Sequence, residues 1–255
     1  MRRAWDALLI AFSMYSRIPV PQASWSQGGL AYVFCFFPLV GAAVGGAVWV
    51  WLWLARCLGL GAGLTAAVAT ALPLLLTGGI HLDGFCDTVD ALSSHGDRGK
   101  KLAILKDPHV GAFAVMGCGI YLLLTMGLWS EYRFSPRETA ALALGFVFSR
   151  SLSGLSVVAF PKARQEGLAS TFSKASDRHV AAVLLGWAAL CALAMLGAHL
   201  AVGCVCIGVA LAVFFYYRRM SYRQFGGVTG DLAGWFLQLC ELGMLLAAVC
   251  LEVWK

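Results

Sequence analysis

The chain of 255 residues is far more apolar than a soluble globular domain. Hydrophobic residues make up 60% of it and charged residues 13%, whereas soluble domains are roughly half apolar and a quarter charged. The mean hydropathy is +0.78. These values exclude a soluble enzyme or binding module and predict an all-α, polytopic bundle of transmembrane helices in a single domain, residues 1–255.

The net charge of +6 could indicate a nucleic-acid partner in a soluble protein. Here the basic residues lie between apolar runs, so orientation in the membrane explains them better. We therefore expect membrane lipid, and no nucleic acid, around the chain. Most of the nine cysteines lie inside apolar runs, where cysteine behaves as a small hydrophobic residue.

The first segment, MRRAWDALLIAFSMYSR, places two arginines before an apolar stretch, as a signal peptide does. Asp6 interrupts that stretch and no clear cleavage site follows, so we expect a retained amphipathic or partly embedded helix. Hydropathy then predicts about seven spans. They are residues 30–55, 60–77, 111–129 and 138–160, a hairpin over 180–217 divided at 197–199, and 231–253.

Lysine and arginine resist translocation, so their distribution predicts the orientation of the chain. With a cytoplasmic N-terminus, fourteen of the 19 basic residues fall on the cytoplasmic side and four on the other, while Arg150 lies within a span. The three polar connections, residues 78–110, 161–179 and 218–230, then share the cytoplasmic side. We therefore expect the site to face the cytoplasm.

The stretch GGIHLDGFCDTVDAL, residues 78–92, carries the densest acidity of the chain. Asp83, Asp87 and Asp90 are spaced i, i+4, i+7, which places them on one helical face, where like charges repel. A hard divalent cation is the natural counter-charge, and Mg²⁺ uses carboxylates together with phosphate oxygens. The alternative is a solvated acidic surface. His81 could be a general base, a phosphate contact or a helix-end donor.

Two further stretches carry groups that suit a phosphorylated substrate. In LKDPHVGAF, Lys106 can contact phosphate, and Asp107 suits either a turn or the N-cap of the next helix. In GGVTGDLAGWFLQLCE, we expect Thr229 to cap the last helix, with its N–H groups available to an anion. Gly227 and Gly230 permit close backbone approach, and Asp231 opens that helix.

Three polar side chains are predicted at membrane depth, where such groups are costly and usually face a site or a partner. Gln238 and Glu241 lie about one turn apart in the last span, and their alternative role is a contact between helices. Arg150 could pair with an acid such as Glu241, or it could face a pyrophosphate.

Acids on a helix, with bases and glycines nearby, are typical of metal-assisted attack on a pyrophosphate. CDP-alcohol phosphatidyltransferases begin their signature with a similar Asp-Gly pair, but the Ala-Arg that should follow Asp83–Gly84 is missing here. UbiA-type prenyltransferases use two aspartate-rich motifs, and this sequence has one.

A closer resemblance covers nearly the whole chain. GGIHLDGFCDTVDAL is similar to the GG-hydrophobic-HLDG-x2-D-x2-D signature of the cobalamin synthase family, also called adenosylcobinamide-GDP ribazoletransferases. Five other blocks resemble this family in order: FSMYSRIPVP (12–21), FFPLVGAAVG (36–45), LKDPHVGAFAV (105–115), FSRSLSGLSVVAFPKARQEGL (148–168) and GGVTGDLAGWFLQLCE (226–241).

The resemblance implies a Mg²⁺-dependent, multi-pass transferase of the bacterial inner membrane, acting late in the assembly of the adenosylcobalamin nucleotide loop. It would transfer the adenosylcobinamide phosphate group from adenosylcobinamide-GDP to α-ribazole or α-ribazole 5′-phosphate, releasing GMP. On this hypothesis the metal ligands are Asp83, Asp87 and Asp90, and His81 or Asp231 accepts the hydroxyl proton. The expected substrate contacts are Lys106, Asp107, Arg150, Gly227, Thr229, Gly230, Gln238 and Glu241.

The rival hypothesis from another class is an ion-coupled transporter that uses acids inside the membrane as ion sites. It predicts inverted repeats and paired broken helices. The sequence has no clear internal repeat, and its densest acids lie at a membrane edge, so the transferase is favoured. The 29 glycines would permit close packing in a homo-oligomer or in a complex with other enzymes of cobalamin assembly.

Overall fold

A computed structural model describes residues 2–23, 25, 27–164, 176 and 178–253 of the chain. Within these ranges the chain forms eleven helices and one isolated β-bridge. The helices are α1 (Arg2–Tyr15), α2 (Gln27–Leu30), α3 (Val33–Cys57), α4 (Ala62–Thr77), α5 (Ile80–Ser93), α6 (Arg98–Ile104), α7 (Ala112–Glu131), α8 (Pro136–Ala159), α9 (Val180–Ala198), α10 (Leu200–Phe225) and α11 (Gly230–Val253).

The predicted bundle of membrane-spanning helices is confirmed. Among the described residues, six helices, α3 and α7 to α11, are long and apolar enough to cross a membrane. A seventh span is possible if α4 and α5, which meet at an angle of 96°, are counted together. The predicted hairpin divides where expected, because the His199 side chain accepts a hydrogen bond from the Val202 N–H and so begins α10.

Helix α8 lies at the centre of the bundle and packs against α3, α9, α10 and α11. Two glycines of α3, Gly41 and Gly45, allow the backbones of α3 and α8 to approach each other closely. A Cβ atom at Gly41 or Gly45 would overlap the backbone of α8 at Phe146 or Ala143. This is the close backbone packing that small residues allow between helices in a membrane.

The N-terminal segment, predicted as a retained amphipathic or partly embedded helix, forms helix α1 with one buried face. Ala7, Ile10 and Ala11 are fully buried, whereas Trp5 is exposed. The buried face of α1 packs against α3. After α1, the Arg17 N–H donates to the Leu76 carbonyl at 2.7 Å. This hydrogen bond joins the segment that follows α1 to the last turn of α4.

The sharp bend between α4 and α5 depends on two consecutive glycines. Gly78 and Gly79 have φ values of 68° and 77°, in the left-handed region that residues with a Cβ rarely adopt. A side chain at Gly78 would also meet the Arg17 side chain at 2.9 Å. The bend turns α5 away from the axis of α4 and against α11, with which it makes one of the largest helix contacts in the molecule.

The polar connections that the sequence groups on one side do meet at one end of the bundle. Lys162 and Val228 form the isolated parallel bridge, in which the Ala163 N–H donates to the Val228 carbonyl at 3.0 Å. In α6, the buried Lys101 donates to Gln224 Oε1 at 2.5 Å. We call this the polar end. Its orientation toward the cytoplasm stays a prediction.

Candidate functional site

A cavity of about 400 Å³ opens at the polar end. Its lining comes from two groups of elements. Helices α1, α3 and α8 contribute mainly apolar side chains, while α5, the segment after α8 and the first turn of α11 contribute the charged ones. The polar and charged lining residues are Tyr15, His81, Asp83, Ser153, Lys162, Arg164, Thr229 and Asp231.

The crossing of α5 and α11 brings Asp231 beside the acidic face of α5. A Cβ at Gly84 would lie 2.8 Å from the Asp231 Cα atom, so the two backbones touch at this point. As a result the Asp231 carboxylate interacts electrostatically with those of Asp83 and Asp87. Asp83 is exposed and lines the cavity, and Asp87 is half-buried one turn further along α5.

Asp90, the third acid of this face, has a structural contact. Its Oδ1 atom accepts a hydrogen bond from the Ala114 N–H at 3.0 Å, and Ala114 lies in the first turn of α7. The N–H groups of a first helical turn have no partner within the helix, so Asp90 supplies one from α5. A side chain at Gly111 would overlap the Asp90 carboxylate.

His81 is buried but reaches the cavity. Its side chain is among the lining residues, and its Nε2 atom is buried without a hydrogen-bond partner in the described part of the chain. The imidazole ring stacks on Tyr15, with centroids 6.1 Å apart, and meets Phe37 edge-on at 5.8 Å. A buried polar atom without a partner is costly, and a bound substrate could supply one.

The start of α11 has the predicted cap. Thr229 Oγ1 accepts a hydrogen bond from the Leu232 N–H at 3.2 Å. Gly227 permits the bridge to the segment after α8, because a Cβ there would lie 2.6 Å from the Ala163 nitrogen. Gly230 is exposed and lines the cavity. These residues place the N-terminus of α11 and Asp231 at the cavity wall.

Two cations of the site, Lys162 and Arg164, were not singled out from the sequence. Arg164 Nη2 lies 3.4 Å from Asp231 Oδ2, and its Nε atom is buried with no partner among the described residues. Lys162 Nζ donates to the Phe160 carbonyl, and burial lowers the pKa of Lys162 to about 8. The bases in FPKARQEGLASTFSK, residues 160–174, are the sequence signal that could have indicated an anion site, and residues 165–174 of that stretch lie outside the described residues.

Lys106 and Asp107 are exposed and do not line the cavity, although the preceding residue, Leu105, does. Asp107 accepts a hydrogen bond from the His109 N–H at 3.0 Å and contacts His109 Nδ1 at 2.7 Å. These hydrogen bonds lower the pKa of Asp107. The sequence predicts that Asp107 either forms a turn or caps the next helix. The structure shows the turn, because Gly111 occupies the N-cap position of α7.

Arg150 and Glu241 form an ion pair inside the bundle, as one of the two alternatives for Arg150 predicts. Arg150 Nη1 lies 2.6 Å from Glu241 Oε1, and the side chains are 1% and 9% exposed. Ser149 Oγ also donates to Glu241 Oε1, at 2.9 Å. Neither charged residue lines the 400 Å³ cavity, and neither does the buried Gln238. These three predicted substrate contacts are therefore not part of the cavity lining.

The donor set at the cavity fits Mg²⁺. The described residues contain no group of three or more histidine, cysteine or acidic side chains placed to hold an ion by themselves. Mg²⁺ does not need such a group, since it is commonly bound by one or two carboxylates, water and substrate phosphates. Asp83 lines the cavity, and Asp87 lies one turn further along α5, outside the lining. Both offer hard oxygen ligands next to a third carboxylate, Asp231, and this excess of negative charge suits a divalent cation.

Comparison with known proteins gives one consistent result. The family model described as cobalamin-5-phosphate synthase matches residues 7–249. A relative from Lachnoclostridium phytofermentans named adenosylcobinamide-GDP ribazoletransferase is 43% identical over 97% of this chain and 94% of its own. Proteins of the same name from Desulfitobacterium hafniense and Ralstonia nicotianae are 35% and 34% identical, over 97% and 96% of this chain and 96% and 95% of their own. No solved structure gives a significant match.

Proposed function

The chain belongs to the cobalamin-5-phosphate synthase family and is a transferase of cobalamin synthesis; from this premise we propose its substrates, metal and reacting residues. The donor is adenosylcobinamide-GDP and the acceptor is α-ribazole or α-ribazole 5′-phosphate. The observation that carries the proposal is the cavity at the polar end, where His81, Asp83 and Asp231 face Lys162 and Arg164.

The proposed reaction is a substitution at phosphorus. The ribose 3′-hydroxyl oxygen of the acceptor forms a bond to the phosphorus atom on the cobinamide side of the pyrophosphate. The bond between that phosphorus and the bridging oxygen breaks, and GMP leaves with the oxygen. The hydroxyl proton passes to His81 Nε2 or to the Asp231 carboxylate, since both residues line the cavity and a base must lie within reach of the proton it accepts.

We propose that two cations of the cavity lining, Lys162 and Arg164, hold phosphate oxygens. Arg164 offers a planar set of N–H donors that suits phosphate, and in this structure the Asp231 carboxylate is its partner at 3.4 Å. Lys162 is held at the same wall by the bridge to Val228. A pyrophosphate between these cations and the acids of α5 would therefore lie at the charged side of the cavity.

Asp83 and Asp87 are the proposed ligands of Mg²⁺, which when bound would neutralise charge on the transferring phosphate. Asp90 was predicted as a third ligand from its spacing. Because its Oδ1 atom accepts the Ala114 N–H, we base the metal proposal on the other two acids. The predicted contacts of Lys106, Asp107, Arg150, Gln238 and Glu241 with substrate find no support in the lining of the cavity.

We further propose that the protein lies in the bacterial inner membrane with the polar end in the cytoplasm. The distribution of lysine and arginine supports this orientation, as does the nucleotide nature of the donor. A homo-oligomer, or a complex with other enzymes of cobalamin assembly, stays a prediction.

The test is GMP release by the purified protein in detergent. With adenosylcobinamide-GDP and Mg²⁺ present, we expect GMP only after α-ribazole or its 5′-phosphate is added, in equal amount to the cobalamin product. CMP release from a CDP-alcohol, or pyrophosphate release from a prenyl diphosphate, with no GMP formed from adenosylcobinamide-GDP, would support another pyrophosphate-using transferase. Ion-coupled uptake of a solute into liposomes, with no GMP formed, would support the transporter.

A further inference from the structure

Three aromatic residues of the cavity lining have no role in the proposed reaction. Tyr15, Phe34 and Phe37 line the cavity together, and the Tyr15 and Phe37 ring centroids are 4.5 Å apart. His81 continues this aromatic wall, because its ring stacks on Tyr15 with an interplanar angle of 15°. Apolar side chains lie around these rings: Met14, Ile80, Leu105, Val157 and Ala233.

We infer that this aromatic wall, made of Tyr15, Phe34, Phe37 and the His81 ring, receives the base of the acceptor nucleoside. The inference rests on the proposed function, which makes α-ribazole the acceptor. Its base is dimethylbenzimidazole, a planar aromatic ring with two methyl groups. Aromatic rings pack favourably against such a base in stacked or edge-on geometry.

The size of the cavity favours the acceptor over the donor. At about 400 Å³ it lies in the range of pockets that enclose small organic ligands, which suits one nucleoside. A corrinoid with its attached adenosyl and GDP groups is several times larger. The corrinoid ring therefore stays outside the cavity, and only the pyrophosphate reaches the charged wall.

Polarity distinguishes the acceptor base from guanine, the other planar base in the reaction. Guanine carries a carbonyl, a ring N–H and an amino group, and leaving these unpaired in an apolar pocket is costly. Ser153 is the polar residue that α8 contributes to the lining, and its hydroxyl donates weakly to the Ala233 carbonyl at 3.5 Å. Dimethylbenzimidazole attached to ribose has no N–H group to satisfy, so the apolar surroundings favour it.

His81 belongs both to the aromatic wall and to the proposed reaction centre. Its ring belongs to the aromatic wall, while its Nε2 atom is buried without a partner in the described part of the chain. A base packed on the wall brings its own ribose toward His81 and, beyond it, toward Asp231 across the α5–α11 contact. The aromatic wall thereby positions the attacking hydroxyl.

The test compares Phe37→Leu with Phe148→Leu. Both phenylalanines are buried, at 2% and 3% exposure, but Phe148 does not line the cavity. We expect Phe37→Leu to raise the KM for α-ribazole by about five- to tenfold, the effect of losing one aromatic contact, and to leave the KM for adenosylcobinamide-GDP unchanged. Phe148→Leu should change neither. Tyr15→Leu serves as a second variant if Phe37→Leu does not fold.

Two outcomes overturn the inference: an unchanged KM for α-ribazole in both cavity variants, or a rise confined to the KM for adenosylcobinamide-GDP, which would place guanine on the wall. Equilibrium dialysis of α-ribazole with wild type and Phe37→Leu, without donor, separates this question from turnover. Weaker binding by Phe37→Leu supports the aromatic wall even if wild type releases no GMP. Normal GMP release with equal dialysis binding leaves the proposed function intact and rejects the wall.

Discussion

At the scale of single residues, Asp231 combines a close backbone contact between two helices with a charged side chain at the cavity. The glycine opposite it, Gly84, lets its backbone touch α5, and its carboxylate then lies between the acids of α5 and the Arg164 guanidinium. Arg164 holds Asp231 through a contact of 3.4 Å between partly exposed side chains, which is a weak interaction. Substrate phosphate can therefore compete for the guanidinium.

We expect donor binding to depend on pH through Lys162. Burial lowers its pKa to about 8, so the ammonium charge is present at pH 7 and is lost as the pH rises through about 8. If this charge holds phosphate, the KM for adenosylcobinamide-GDP rises between pH 7.5 and 9. In Lys162→Arg the rise should disappear, because a guanidinium stays protonated.

The matched control for this measurement is Lys100→Arg, at an exposed position outside the cavity, which should keep the wild-type pH profile. A profile that is the same for wild type and Lys162→Arg would show that Lys162 does not hold the donor.

At the scale of helices, the Arg150–Glu241 pair connects α8 to α11. Removing one partner leaves a buried charge uncompensated, which typically costs about 3–5 kcal/mol. We therefore expect Glu241→Leu to lower the free energy of unfolding in detergent by an amount of this order. The double variant Arg150→Met with Glu241→Leu should lose less than Glu241→Leu alone, since no buried charge remains. A double variant that is the less stable of the two would contradict this account.

The contact between α5 and α11 can be tested at Gly84. A leucine there would meet the Asp231 backbone, where even a Cβ comes within 2.8 Å, and would separate the acids of the two helices. We expect Gly84→Leu to reduce the rate of GMP release by at least about tenfold. Gly119→Leu is the control, because a Cβ at Gly119 has nothing within 4 Å. Equal activity of the two variants would mean that this crossing does not position the site.

Asp90 allows its structural contact to be separated from metal binding. Asn retains the side-chain oxygen that accepts the Ala114 N–H but removes the charge, whereas Ala removes both. If Asp90 serves α7, Asp90→Ala should lose about 1 kcal/mol of stability, and Asp90→Asn should retain both stability and turnover. Loss of turnover in Asp90→Asn at normal stability would restore Asp90 as a metal ligand.

The helices and the site were predictable from the sequence to different degrees, for physical reasons. Hydropathy located the spans because each must be apolar along its own length, and the hairpin divided at His199 as predicted. The helix cap at Thr229 was predictable because it joins residues only three positions apart. By contrast, the contact of Asp231 with α5 joins residues about 150 positions apart, and no local pattern encodes it. Arg164 was not predicted as a site residue because its partner, Asp231, is also distant in the sequence.

At the scale of the whole molecule, the polar connections and the acids of α5 meet at one end of the bundle, over a cavity that is apolar on the side of α1, α3 and α8. The buried Arg150–Glu241 pair joins α8 to α11 and does not line the cavity, whereas His81, Asp83 and Asp231 do. Helix α5 contributes two of these lining residues, and two consecutive glycines form the 96° bend between it and α4.

The most direct test of the central claim, that the acidic face of α5 is the reaction centre, is the Mg²⁺ dependence of GMP release by Asp87→Asn. The control is Asp97→Asn, which keeps the cap of α6, where Asn serves as well as Asp. We predict that Asp87→Asn loses at least about 100-fold in rate at saturating substrates, while Asp97→Asn behaves as wild type. Near wild-type GMP release by Asp87→Asn, with an unchanged Mg²⁺ requirement, would contradict the account.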